Sequence, residues 1–153
     1  MPDALLVRPL ERNDFAAWQP LWDGYNAFYG RAGPTALDPA ITQATWQRFF
    51  DPQEPVHALV AQSGGQLAGI VHYLFHRSTT RMELICYLQD LFTRDDVRGK
   101  GVGRALINAV YAKALEQGTR RVYWHTYQTN TTARTLYDKV ATHSGVIVYV
   151  HEG

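Results

Sequence analysis

The pattern of apolar and polar positions along the chain predicts a regular succession of short strands and helices. Apolar runs bounded by turn residues predict strands, and apolar residues recurring at steps of three and four predict helices. The predicted strands are Leu5–Val7, Val56–Ala61, Gln66–Phe75, Glu83–Thr93, Arg121–Thr126 and Gly145–Val150. The predicted helices begin near Pro20, begin at Pro39 and end near Phe50, span residues 103–117, and span residues 130–140. This order predicts an α/β sandwich with a mixed sheet.

Aromatic residues recur at helical spacing in the first predicted helix, from Phe15 to Tyr29. Proline is unfavourable inside a helix and favourable at its first position, so Pro20 predicts a short turn and then a helix that starts there. Asp38 before Pro39 predicts the start of the second helix. Gly118 predicts the end of the third.

The composition limits the classes of protein to consider. The chain has 153 residues, 46% of them hydrophobic, which fits one domain over residues 1–153 with a substantial core. Its net charge of +1 lacks the basic excess of a non-specific nucleic-acid binder. No apolar run reaches the roughly 18 residues of a membrane span. The single cysteine, Cys86, suits a reducing compartment, so we expect a cytoplasmic protein without nucleic-acid or membrane partners.

A glycine-rich loop carries the clearest chemistry. Gly99, Gly101 and Gly103 stand at every second position between a predicted strand and a predicted helix. Glycine lets the backbone come close to a ligand, and a helix start offers unpaired N–H groups and partial positive charge. Arg98, Lys100 and Arg104 add cationic side chains, so the segment predicts an anion site, and the anion we expect there is a pyrophosphate. A P-loop is excluded because no Ser or Thr follows Gly99-Lys100, and the dinucleotide fingerprint fails at its third glycine.

The remaining pattern, Arg98-x-x-Gly101-x-Gly103, resembles the acetyl-CoA pyrophosphate loop of the GCN5-related N-acetyltransferases (GNAT superfamily). The segments 87–92 and 122–126 resemble two strands of that family, and Asn130, Ala133 and Tyr137 resemble its second cofactor element. The stretch 86–149 is similar to the small yeast histone-and-other-protein and D-amino-acid acetyltransferases. The resemblance implies a mixed, mostly antiparallel sheet of six to seven strands, flanked by about four helices and splayed at its central strands.

Acetyl-CoA is the co-substrate that the resemblance implies. Its pantetheine arm would pair with the backbone of one splayed strand, and its pyrophosphate would lie on the glycine loop. The implied contacts are Leu91, Phe92, Thr93, Arg98, Gly99, Lys100, Gly101, Val102, Gly103, Arg104, Asn130 and Ala133.

Two side chains are candidates for proton transfer to and from the reacting groups. By resemblance, Tyr137 gives a proton to the departing thiolate of CoA, which a phenol can do. Asp90 is the carboxylate nearest to the expected site, and is either a base that acts through water or a buried structural carboxylate. Glu83, Asp95 and Asp96 are the alternatives, and a water relay without a dedicated base is another. A backbone N–H near Phe92 would hold the oxyanion.

The acceptor is expected to be a primary amine, either a free amino acid, a small amine or a protein lysine, attacking directly in a ternary complex. Candidate substrate contacts are Trp22, Tyr25, Tyr29, Tyr87, Gln89 and Trp124. Attack through Cys86 is the less favoured route, because no His partner stands near it in sequence. His72 and His76 lack a metal-binding motif, so no metal is expected.

Two wider expectations concern the whole protein. By resemblance, the last predicted strand contributes to a homodimer. The alternative to an enzyme is a non-catalytic acyl-CoA-binding or regulatory module, which would bind CoA without turnover.

Overall fold

Five strands form one mixed sheet in residues 4–153, the part of the chain that the computed structural model describes. The strands are β1 (Leu5–Pro9), β2 (Val56–Ser63), β3 (Gln66–His76), β4 (Ile85–Thr93) and β5 (Val122–Tyr123). The helices are α1 (Phe15–Phe28), α2 (Pro39–Arg48), α3 (Val102–Glu116) and α4 (Thr131–Val140). The sheet order follows the chain, antiparallel from β1 to β4 and parallel between β4 and β5. The α/β class and the mixed sheet are confirmed.

Helix α1 begins five residues earlier than predicted. A single 3-10 turn, Arg12–Asp14, precedes it, and Pro20 lies inside the helix. The prediction of a start at Pro20 was therefore wrong. Trp18 is completely buried on this helix, and its packing outweighs the single backbone hydrogen bond that a proline removes.

The ends of two other helices follow the predicted signals. Asp38 caps α2, where its Oδ1 accepts a hydrogen bond from the Ala40 N–H at 2.9 Å. Gly118 follows α3 with a φ of +82°, a conformation that glycine adopts without strain.

The sheet is covered on both faces. Helices α1 and α2 bury Trp18, Trp22 and Trp46 against Val60 and Ile70 on one face. On the other face, α3 buries an apolar row against strands β2 to β4, consisting of Leu106, Ile107, Val110 and Ala114. Helix α4 packs beside α3 through Leu136, Tyr137 and Val140.

Strands β4 and β5 separate soon after they meet. They pair only at Cys86 with Val122 and at Tyr87 with Tyr123, although β4 continues to Thr93. The predicted strand 121–126 is shortened because Trp124 turns to pack between Tyr111 and Tyr137. A gap therefore opens beside residues 88–93 of β4, where a splay was expected.

The last predicted strand is absent from the sheet. Residues 141–153 form no strand, and the apolar run Val146–Val150 is between 59% and 86% exposed. The prediction of six to seven strands was wrong for residues 4–153, which contain five. A strand needs a partner strand for its N–H and C=O groups, and this segment pairs with none within the described chain.

An extra residue interrupts β4 opposite His72. The register pairs His72 with Asp90 and Tyr73 with Leu88, so Gln89 has no partner. Simple alternation would place Leu88 and Asp90 on one face. The bulge instead leaves Leu88 in the core under α3, while Asp90 meets His72 on the face covered by α1.

No helix in residues 4–153 is both long and apolar enough to span a bilayer.

Candidate active site

The glycine loop presents free backbone donors at the start of α3. Gly99 and Gly101 have φ values of +80° and +83°, which only glycine adopts readily. In residues 4–153, no backbone carbonyl accepts from the N–H groups of Gly101, Val102 and Gly103. A Cβ on Gly101 would meet no protein atom within 4 Å, so its open side faces outward. These donors fit a pyrophosphate at a helix N-terminus.

The cationic side chains of the loop are exposed. Arg98 pairs with Asp95 at 2.9 Å, and its guanidinium lies 5.7 Å from the centre of the Phe92 ring. Within residues 4–153, Lys100 and Arg104 form no ion pair. Because exposed ion pairs contribute little to folding stability, a bound phosphate can replace Asp95 as the partner of Arg98.

The three predicted backbone contacts lie together near the end of β4. Leu91, Phe92 and Thr93 all belong to the stretch that β5 does not cover. Helix α1 crosses this stretch closely, since a Cβ on Gly24 would lie only 2.7 Å from the Phe92 ring. The glycine loop follows this stretch in the chain, between the end of β4 and the start of α3.

Helix α4 supplies the second predicted cofactor element. Asn130 precedes the helix, and its Nδ2 donates to the Thr126 Oγ1 at 3.2 Å rather than capping the helix. Ala133 is half-buried one turn later. A Cβ on Gly103 would lie 3.3 Å from Leu136 Cδ2, so the glycine permits close packing of α4 on the loop. The structure thus brings the two predicted cofactor elements together.

Tyr137 lies on the same helix with its ring edge against Trp124, at a centroid distance of 5.4 Å. Burial, with a smaller contribution from Tyr29, raises the pKa of Tyr137 to about 12. The phenol therefore keeps its proton through neutral pH and can donate it.

Asp90 is the one buried carboxylate among the four candidates. Its Oδ2 lies 2.9 Å from His72 Nδ1, and the residue is only 7% exposed. Glu83 pairs with Arg81 at the surface, and the two loop carboxylates, Asp95 and Asp96, pair with neighbouring arginines. Asp90 also lines a cavity, whereas the other three carboxylates are held by arginines at the surface, so Asp90 is the better candidate for a base.

Two tyrosines, Tyr25 in α1 and Tyr29 directly after it, lie within electrostatic range of Asp90. Burial and then Asp90 raise the pKa of Tyr25. Burial, then Tyr127 and Asp90, raise the pKa of Tyr29, while Arg31 lowers it. Tyr29 therefore lies within electrostatic range of both Asp90 and Tyr137.

The structure does not bring the six predicted substrate contacts together in one place. Trp22 and Gln89 line a cavity of about 160 Å³ together with Asp90 and His72. Tyr25 and Tyr29 extend the aromatic face of α1, with ring centroids 5.0 Å apart. A larger hollow of about 300 Å³ lies at another part of the sheet, beside His57 and Lys113, and contains none of the predicted site residues.

Tyr87 and Trp124 lie apart from these contacts. Tyr87 stacks on Tyr123 and bonds His125 through its hydroxyl at 3.3 Å. Trp124 packs beside Tyr137 and Tyr111 instead of on the α1 face.

Cys86 is poorly suited to be a nucleophile. It is completely buried, and desolvation raises its pKa to about 12, so the thiolate is scarce at neutral pH. Within residues 4–153, no three His, Cys, Asp or Glu side chains are arranged to hold a metal ion.

Sequence reasoning missed three residues that the structure places near the site. Trp18 and His72 form a buried hydrogen-bonded chain to Asp90. Arg31 lies against the rings of Tyr25 and Tyr29. No local motif marks the His72 contact, because it depends on the pairing of two strands.

The chain belongs to the family described as Acetyltransferase (GNAT), whose model it matches over residues 18–141. It is therefore an acetyltransferase. It is 36% identical over 153 residues to the D-amino-acid N-acetyltransferase HPA3 of Saccharomyces cerevisiae, covering 99% of this chain and 92% of the yeast protein. It is 29% identical over 133 residues to the uncharacterized N-acetyltransferase YhfO of Bacillus subtilis, covering 87% and 86%.

Solved structures show the same fold. A ribosomal-protein-alanine N-acetyltransferase from Brucella melitensis matches with a TM-score of 0.77 at 23% identity, covering 98% of this chain and 99% of that one. The aminoglycoside acetyltransferase AAC(6')-Iy in complex with a bisubstrate analogue matches with a TM-score of 0.80 at 15% identity, covering 98% and 99%.

Proposed function

We propose that this enzyme transfers the acetyl group of acetyl-CoA to the amino group of a free α-amino acid. The observation that carries the proposal is that a buried carboxylate, Asp90, and a protonated phenol, Tyr137, both lie within electrostatic range of Tyr29. The glycine loop, with its free N–H groups, follows β4 in the chain and fits the pyrophosphate of CoA.

Acetyl-CoA supplies the acetyl group as a thioester. Asp90 accepts a proton from the attacking amine, directly or through water, because an ammonium has no free electron pair. A backbone N–H near Phe92 holds the developing oxyanion. Tyr137 donates its proton to the departing sulfur. Residues 98–104 and Asn130 hold the donor in place.

The amino-acid acceptor is supported by the charges on the α1 side of the site. The Arg31 Nε donates to Asn26 Oδ1 at 2.7 Å, and its guanidinium lies within 5.8 Å of the centres of the Tyr25 and Tyr29 rings. Within residues 4–153, Arg31 forms no ion pair, so its Nη groups are available to a carboxylate. Asp90 can take the proton of the amine, and Arg31 can bind the carboxylate, so the two residues match the two charged groups of an amino acid. HPA3 is named for acetylating D-amino acids.

The test is thiol release from acetyl-CoA with L- and D-amino acids, their amides, small amines and lysine peptides. We expect kcat/KM for an amino acid to exceed that for its amide by about 10- to 100-fold, the effect of one charged hydrogen bond. Arg31→Met should remove most of this preference while keeping the aliphatic stem. Equal rates for acid and amide, or faster turnover of lysine peptides, would contradict the amino-acid acceptor.

We also propose that the enzyme acts as a cytoplasmic homodimer. The exposed apolar run Val146–Val150 is unusual for a protein surface, and exposed patches of this kind mark interfaces. Each chain has such a segment, and within residues 4–153 the outer edge of β5 is unpaired. In a dimer with two-fold symmetry, the segment of each copy can pair with the β5 edge of the other copy. Both the segment and the edge then have a partner, which favours a second copy of this chain. The single buried thiol, Cys86, suits a reducing compartment.

Analytical ultracentrifugation tests the assembly. We expect a dimer for the native chain and a monomer for Val148→Lys, because the lysine places a charge in the apolar interface. Leu115→Lys changes a single exposed apolar residue on α3 and should leave the dimer intact. A native chain that sediments as a monomer at 50–100 µM would refute this assembly.

A further inference from the structure

A buried chain of hydrogen bonds ends at Asp90. The Trp18 Nε1–H donates to His72 Nε2 at 3.1 Å, and His72 Nδ1 lies 2.9 Å from Asp90 Oδ2. The exposed fractions of the three residues are 0%, 4% and 7%. The chain connects α1, β3 and β4, and none of these contacts belongs to the glycine loop.

The partners determine where the imidazole carries its proton. An indole N–H can only donate, so His72 Nε2 must accept and carries no hydrogen. The ring proton of a neutral imidazole is then on Nδ1, which donates to the Asp90 carboxylate. Both His72 nitrogens are thereby engaged, and the imidazole has one orientation.

We propose that Trp18 and His72 are positioning residues that hold the Asp90 carboxylate toward the acceptor amine, and that His72 does not relay protons. A proton passed to His72 would have to leave from Nε2, where the indole N–H cannot accept it. A proton that reaches Asp90 must therefore leave through the cavity that Asp90 lines. This inference rests on the proposed role of Asp90 as a base.

The bulge at Gln89 makes this arrangement possible. Without the extra residue, Asp90 and Leu88 would share a face, and Leu88 belongs to the core under α3. His72 also contacts the rings of Trp22 and Phe49, with centroid distances of 5.4 and 4.6 Å, so packing restricts its rotation. A locked donor of this kind keeps a catalytic group in its productive geometry.

A double-mutant cycle tests the positioning role. His72→Leu should lower kcat by about 10- to 100-fold with little change in KM, since misplacing a catalytic group by about 1 Å has an effect of that size. His72→Asn keeps a donor near the Nδ1 position and should recover part of the rate. In an Asp90→Asn background, His72→Leu should change kcat by less than about twofold, because it acts through Asp90.

The cycle separates the two ways in which the inference can fail. If Asp90→Asn alone turns over at the native rate, Asp90 is not the base, and the proposed mechanism and this inference both fail. If Asp90→Asn is slow but His72→Leu has the same effect in both backgrounds, the proposed base stands and the positioning role is overturned.

The tautomer can be measured without any substitution. In the native protein with ¹⁵N-labelled histidine, NMR ring correlations at pH 7 should show His72 protonated at Nδ1 alone. Protonation at Nε2 would overturn the hydrogen-bond chain, whatever the activity of the variants.

Discussion

Replacing Tyr137 with phenylalanine should lower kcat by about 100-fold or more, the usual effect of losing a general acid. Burial raises the pKa of Tyr137 to about 12, so the native phenol holds a proton to donate at neutral pH. Phenylalanine keeps the contact with Trp124 but has no proton to give. Steady-state thiol release measures kcat, and calorimetry should show CoA affinity unchanged within about twofold.

Tyr111→Phe is the matched control. The Tyr111 hydroxyl donates to the Val140 carbonyl at 2.9 Å and so anchors the end of the same helix. If the phenol of Tyr137 acts chemically, the control should retain nearly native kcat. A similar loss in both variants would mean that the position of α4 matters and the proton does not.

Replacing Gly101 with valine should weaken CoA binding by about 100-fold. The native φ of +83° is strained for a β-branched residue, so the loop must shift and withdraw N–H donors from the pyrophosphate. Two charge-assisted hydrogen bonds at about 1.5 kcal/mol each correspond to that factor. Isothermal titration with CoA measures the change.

Gly65→Val separates this binding effect from simple strain. Gly65 has a φ of +77° in the turn between β2 and β3, and a Cβ there would also meet nothing within 4 Å. Both variants should lower Tm by a few degrees, the expected result of about 1–2 kcal/mol of backbone strain. Only Gly101→Val should lose CoA affinity. Equal CoA affinity in the two variants would exclude the loop as the pyrophosphate site.

The parts of the fold that depend on local chemistry were predictable from the sequence. The Asp38 cap, the Gly118 stop and the glycine loop before α3 are each set by residues within one turn. Helix and strand periodicity located β2, β3 and β4 to within about two residues at each end.

The errors come from interactions between distant residues. Pro20 disfavours a helix locally, but the burial of Trp18 and Trp22 on the same helix overrides it. The apolar alternation of Val146–Val150 is typical of a strand, but a strand also needs an edge to pair with. The local sequence reports neither the burial of a helix face in the folded protein nor the presence of a strand edge to pair with.

The candidate site shows the same division. The loop and the Asn130, Ala133 and Tyr137 spacing came from motifs, and the structure places them side by side. The contact of His72 with Asp90 joins residues 18 positions apart and depends on a one-residue offset between two strands. Arg31 reaches the site only because α1 crosses the sheet there.

Because of that offset, the alternation of side chains in β4 reverses at Gln89. Up to Leu88, the even-numbered residues face the core under α3, and from Asp90 onward the even-numbered residues face the layer formed by α1 and α2. A single added residue therefore lets one strand present an apolar side chain and a carboxylate, two positions apart, to opposite layers of the protein. Comparisons of this strand by alternation alone would misplace every position beyond Gln89 by one face.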